Sequence, residues 1–193
     1  EQIISSHSQV TGAGELEFVE IFGGSIARGL SRLDTNTLLR FREDYLNKLK
    51  PLSNGSALVT DKLPQNFLYL GLITAALPEA KILLVKRNPA AVCWSNYKQF
   101  FESKGIGYSY ALSDVIEYYA LYKDLMDFWN MQFTNRIFSL SYELLTTNQE
   151  DETKKLIKHL GLNWENSCLS PQNNKRSVAT ASNIQVRNQV YQG

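Results

Sequence analysis

The chain is 193 residues long, with 44% hydrophobic and 20% charged residues, which suits a globular domain and excludes a disordered polymer. Twenty basic residues oppose nineteen acidic ones, so a formal charge of +1 provides no field for coating nucleic acid but leaves room for one small anion site. Two cysteines and two histidines are too few for a disulfide framework or a zinc centre, and no apolar run reaches membrane-helix length or opens the chain as a signal peptide.

In chain order, residues 34–50 place Leu38, Phe41, Tyr45, Leu46 and Leu49 on one helical face, with Asp34 or Thr35 as N-cap. Residues 51–55 break that helix, and 57–60 read as a short buried strand. A helix over 66–77 follows, closed by Pro78. The run 82–85 is apolar throughout, the pattern of a central parallel strand, and it leads into Arg87-Asn88-Pro89, where Pro89 suits the first position of another helix. Residues 113–132 form the strongest helical pattern, with Val115, Tyr118, Tyr119, Tyr122, Leu125, Met126 and Trp129 at three-four spacing as a packing face. A strand over 136–141 and a helix ending at Gly161, its C-cap, complete the regular elements, and the chain from Asn163 onward is polar and turn-rich. The alternation implies an α/β fold with a mostly parallel sheet and a single domain over 1–193.

In such sheets ligands bind where strands end. The strand over 57–60 delivers Lys62, either a point charge for an anionic oxygen or an exposed loop lysine. The strand over 82–85 delivers Arg87, whose fork suits a phosphate or a surface carboxylate, and the helix after it carries Ser95 about two turns along. The strand over 136–141 delivers Ser141 and Tyr142, a ring that packs on a base or caps the core. Glu15, in Gly12-Ala13-Gly14-Glu15-Leu16, is either a base that takes a proton from a hydroxyl or a charge in a first helical turn. Arg176 to Ser182, followed by Gln185-Val186-Arg187, suits contacts to a charged ligand or a solvated tail. Cys93 and His159 read as structural. Tyr97, Phe100, Phe101, Tyr108 and Tyr110 suit an acceptor cleft, a core or a dimer surface.

The order of Ser5-Ser6-His7-Ser8-Gln9-Val10, Gly12-Ala13-Gly14-Glu15-Leu16, Thr60-Asp61-Lys62-Leu63-Pro64-Gln65-Asn66-Phe67, Leu77-Pro78-Glu79-Ala80-Lys81-Ile82, Arg87-Asn88-Pro89 with Ser95, and Thr180-Ala181-Ser182 with Gln185-Val186-Arg187 resembles the PAPS-dependent sulfotransferases (PAPS is 3′-phosphoadenosine-5′-phosphosulfate). The likeness is to bacterial members related to the tyrosylprotein sulfotransferases, and it covers the chain from about Ile3 to Tyr191. It implies a three-layer α/β fold of the P-loop nucleoside-triphosphatase-like kind, with a mostly parallel central sheet flanked by helices. It further implies PAPS as co-substrate without a metal. Arg87 and Ser95 then match the pair on the 3′-phosphate, Lys62 the lysine at the bridging oxygen of the leaving phosphate, and Glu15 the general base. Tyr142, Ser182 and Arg187 match residues around the nucleotide.

The expected acceptor is a hydroxyl, or an amine, on a small molecule, glycan or peptide, with no nucleic-acid or membrane partner and a cytoplasmic location. The family's loop for the 5′-phosphosulfate, of the form P-R-S-G-T-T, would precede the segment matching Glu1-Gln2-Ile3-Ile4, so the expectation is a domain lacking that first strand and loop and its extreme C-terminus. Two alternatives accompany this reading: a non-catalytic binding module that keeps the fold, and a phosphoryl-transfer enzyme of similar layout.

Overall fold

A computed structural model describes residues 1–101 and 105–176, together with positions 188 and 190. Its elements in chain order are β1 (Val10–Gly12), α1 (Phe18–Ala27), α2 (Thr35–Leu49), β2 (Leu58–Thr60), α3 (Leu70–Ala76), β3 (Ile82–Lys86), α4 (Pro89–Lys98), α5 (Leu112–Gln132), β4 (Ile137–Ser141), α6 (Tyr142–Thr147) and α7 (Gln149–Leu160). The fold is mixed α/β with short parallel strands. They form two compact units, one of Glu1–Ala80 with the chain from Asn148, the other of Lys81–Thr147. No helix among the described residues is long and apolar enough to cross a membrane.

In the first unit β1 and β2 are parallel and in register, Val10 beside Leu58 and Gly12 beside Thr60. Neither β1 nor α1 stands out in the sequence: β1 has three residues, and α1 carries Gly23-Gly24, poor helix formers. α2 starts where its cap directs, with Asp34 accepting from the Thr37 amide at 2.9 Å and Thr37 Oγ1 accepting from the Asp34 amide at 3.0 Å. Its face, as expected from the spacing, supplies Phe41 and Tyr45 to a core shared with Val19, Leu72, Ala76 and Leu77. The helix expected over 66–77 is a 3-10 segment, Pro64–Tyr69, followed by α3, because Pro64 starts a tight first turn. Leu77, preceding Pro78, is pushed out of helical geometry at φ −124° and ψ 66°.

Gly23 lets α1 close onto this core. A Cβ there would run into Leu72 and stand 2.9 Å from Phe41 Cε2, whereas one at Gly24 would meet the movable ends of Glu20 and Arg28. Gly23→Ala is therefore expected to destabilise by about 1–2 kcal/mol, its overpacking exceeding the gain in helix propensity. Gly24→Ala is expected to be neutral or stabilising. Urea denaturation of the two variants checks the contrast, and equal midpoints would refute it.

In the second unit β3 and β4 run parallel, Ile82 beside Ile137 through Lys86 beside Ser141. The single sheet expected from the sequence is thus described as two parallel ladders, one per unit, and β3 has β4 as its neighbour with Val85 57% exposed. Pro89 opens α4 as expected, behind an Asn88 cap that accepts from the Ala91 amide at 3.2 Å. The α5 face also follows the pattern: Val115 and Met126 are buried, and Tyr118, Tyr119, Tyr122, Leu125 and Trp129 are half-buried beside them. Tyr118 stacks on Tyr108 with centroids 3.9 Å apart, while Tyr97, Phe100 and Tyr110 are exposed. Cys93 is buried on α4, in keeping with a structural role.

The one helix expected after β4 is two, α6 in the second unit and α7 in the first. Thr146 and Thr147 turn their hydroxyls back onto the Glu143 carbonyl at 2.9 and 3.0 Å, and Asn148 leaves helical geometry. α7 ends at Gly161 in the left-handed region, φ 77°, as its C-cap.

Candidate active site

The matched register of β1 and β2 sends Gly12 and Thr60 out at the same level, so the next residues of both strands emerge together. Two backbone bonds fasten them: the Ala13 amide donates to the Thr60 carbonyl at 3.1 Å, and the Lys62 amide to the Gly14 carbonyl at 2.8 Å. Gly14 takes φ 81°, which a side chain would resist, and turns Glu15 toward the second loop. Lys62 Nζ there donates to the Glu15 carboxylate. Glu15 lies in this loop, three residues before α1 begins, and so does not occupy a first helical turn. The two side chains are 35% and 43% exposed, and a pair this open contributes about 0–1 kcal/mol. Stability does not explain it.

Behind the pair, Glu1 Oε1 accepts from the Gly14 amide and from Thr60 Oγ1, both at 2.8 Å, and Glu1 Oε2 accepts from Arg176 Nη2 at 3.0 Å. Arg176 Nε donates to Gln2 Oε1 at 3.1 Å. The arginine lies so close over β1 that a Cβ on Gly12 would stand 2.7 Å from its Cδ. Arg176 is therefore an internal brace rather than part of a solvated tail, and residues 177–187 of that stretch lie outside the described residues. A cavity of about 330 Å³ in the same unit is lined by Ser5, Ser6, Ser167, Ser170, Asn173 and Asn174, all neutral, and none of the residues singled out at the strand ends opens into it.

Asp61, between Thr60 and Lys62, turns inward. Its Oδ2 accepts from the Tyr45 hydroxyl at 2.9 Å and its Oδ1 from the Leu16 amide at 3.4 Å, with the Asn66 side chain as a third donor. Burial raises the Asp61 carboxyl above the ordinary range against the pull of these donors. Burial also pushes the Tyr45 phenol well up, and the neighbouring Asp61 charge adds to it.

In the second unit Arg87 leaves β3 and lays its guanidinium 5.0 Å above the Tyr142 ring, at the start of α6. An arginine held over an aromatic face in this way can still offer N–H groups to a further partner. Glu143 holds the turn: Oε1 accepts from the Asn88 amide at 2.7 Å and Oε2 from Ser141 Oγ at 3.2 Å. The bond from the Asn88 amide is the main cause holding the Glu143 carboxyl below its usual range, with Arg87 adding a smaller pull. Ser95 is half-buried in the second turn of α4, and no hydrogen bond joins it to Arg87 among the described residues. Ser182 and Arg187 lie outside the described residues.

The structure thus brings Glu15 to Lys62 in one unit and Arg87 to Tyr142 in the other. Sequence reasoning missed Glu1, Asp61 and Glu143 at these places; Gly12 carried a signal, since a glycine in a strand marks close approach by another chain segment. No group of three or more His, Cys, Asp or Glu is arranged to hold a metal among the described residues.

A family model described as "Sulfotransferase family" matches residues 1–166. The chain belongs to the sulfotransferase family. It is also 33% identical over 207 aligned positions to an uncharacterized protein of Aquifex aeolicus (strain VF5), an alignment that covers 99% of this chain and 27% of the relative. The sulfotransferase chain therefore spans about a quarter of that relative's length.

Proposed function

We propose that this sulfotransferase takes its sulfuryl group from PAPS and passes it to a hydroxyl, or less readily an amine, of a small molecule, glycan or peptide. The observation that carries the reading is the Glu15–Lys62 pair, a partly exposed acid–base couple held by backbone bonds between two strand ends. The groups present suit such a donor: a cationic fork stacked on an aromatic ring for a nucleotide phosphate, and a lysine near a carboxylate for the reacting end. PAPS would supply a sulfuryl group on an activated phosphate, leaving as 3′-phosphoadenosine-5′-phosphate (PAP).

In this reading Glu15 accepts the proton of the acceptor hydroxyl as the acceptor oxygen bonds to sulfur. Lys62 donates to the bridging oxygen as the sulfur–oxygen bond breaks and negative charge grows there. Arg87 and Ser95 hold the 3′-phosphate, and Tyr142 offers its ring to the nucleotide, roles that rest on the family resemblance. Ser182 and Arg187 are proposed nucleotide contacts on the same basis.

Calorimetric titration of the protein with PAP, with AMP as a control lacking the 3′-phosphate, tests the reading. PAP is expected to bind more tightly than AMP, and Arg87→Ala to weaken PAP by about 1.5–3 kcal/mol, the scale of a charged hydrogen bond, without changing AMP. Equal affinity for PAP and AMP would defeat it. Binding of PAP with no transfer of labelled sulfate from PAPS to a panel of phenols, sugars and tyrosyl peptides would instead favour a non-catalytic binding module.

A further inference from the structure

Hydrogen bonds fix Lys62, Ala13 and Gly14, but Glu15 sits one residue past this joint, a glycine at φ 81°. The open Glu15–Lys62 bond is too weak to hold its own geometry. The next anchor beyond that joint is the Leu16 amide, and it donates to Asp61. Asp61 is itself the residue before Lys62. One carboxylate therefore touches the loop of the base and belongs to the loop of the lysine, while its other oxygen takes the hydroxyl of Tyr45, a core residue of α2 that is 7% exposed.

We infer that Asp61, steadied by Tyr45, is a positioning residue that sets Glu15 against Lys62. This rests on the proposed sulfuryl transfer for its catalytic meaning, though not for the geometry itself. A carboxylate suits the place because it accepts on both oxygens, whereas an asparagine accepts on one alone and would turn its NH₂ against the Leu16 amide or make the Tyr45 hydroxyl reverse its role. A charge in a half-buried site works against folding unless it is well bonded, so a residue with a purely structural task there is more readily served by an apolar or neutral side chain. Tyr45 is the lever for a clean test, because phenylalanine keeps the ring that stacks on Phe41 at 6.0 Å and removes the hydroxyl alone.

The experiment compares Tyr45→Phe, Asp61→Asn and the control Glu15→Gln with the unaltered protein. Trace acetylation by acetic anhydride followed by peptide mass spectrometry reads the reactivity of Lys62 against the exposed Lys48 and Lys81. Lys62 labelling is expected to rise about two- to tenfold in all three variants, the scale of one lost hydrogen bond, with the reference lysines unmoved. With PAPS and a mixed panel of phenol, sugar and tyrosyl-peptide acceptors, kcat is expected to fall about tenfold in Tyr45→Phe and Asp61→Asn while KM for PAPS stays within about twofold. Unchanged Lys62 labelling in both variants overturns the inference, and so does an equal rise at all three lysines, which marks a purely structural role. A selective rise at Lys62 in a protein that never turns over PAPS upholds the positioning and removes the sulfuryl-transfer reading instead.

Discussion

Lys62→Ala is expected to lower kcat for PAPS-dependent sulfation by about 10²–10³-fold while the Kd for PAPS, measured without acceptor, changes by less than about threefold. The asymmetry follows from when the charge is needed. In the ground state the bridging oxygen of the donor carries little charge, so an ammonium beside it adds little to binding. In the transition state that oxygen becomes a leaving group, and a fixed cation then lowers the barrier. The fold does not depend on the lysine: its partner Glu15 is an exposed residue, and its backbone bond to Gly14 survives the substitution. Circular dichroism should therefore be unchanged. Single-turnover transfer from labelled PAPS, set beside calorimetry with PAPS in the absence of acceptor, separates the two effects, and full turnover in the variant would remove Lys62 from the chemistry.

The largest stability effect is expected at Phe41. Phe41→Ala should destabilise by about 3–5 kcal/mol, read as a shift of the urea midpoint at constant slope. Its ring is 1% exposed, stacks on Tyr45, and is the wall against which α1 closes at Gly23. That close approach leaves little room for the surroundings to collapse into the space of a deleted ring, which puts the cost at the upper end of the range. Against the usual stability of about 5–15 kcal/mol, such a loss leaves a fraction of the molecules unfolded at ordinary temperatures. A shift under about 1.5 kcal/mol would mean that the core refills easily.

How far the sequence could be read depended on how local the cause was. The Asp34 cap, Pro89 at the head of α4, the packed face of α5 and the left-handed Gly161 each follow from residues within a few positions of one another, and each is where it was expected. The split between α6 and α7 had a local cause as well, in the paired threonines, but hydroxyls that bond backward compete with the helix without breaking its pattern. Glu15 and Lys62 were legible as residues at strand ends, yet their contact needed the register of β1 with β2, and β1 is too short to announce itself. Nothing in the composition around Arg176 tells a brace from a tail. The distinction lies in Glu1, 175 positions away. Asp61 was quoted within its motif as a neighbour of Lys62, and its inward turn toward Tyr45 is a tertiary fact.

The interruption of the first unit by Lys81–Thr147 bears on how the chain is made. His7 bonds the Asn163 carbonyl at 2.8 Å and Ser8 bonds Glu165, across 156 and 157 positions. At roughly 5–20 residues per second of synthesis, the amino-terminal segment waits roughly 8–30 s on the ribosome for those partners to emerge. The inserted segment is contiguous, and its β3–β4 pairing lies wholly within it, so it is free to form during that wait. The brace of Arg176 on Glu1 and Gln2 behind β1 is thus among the last contacts of the first unit to form, and until then that part of the unit is open to chaperones and to aggregation alike.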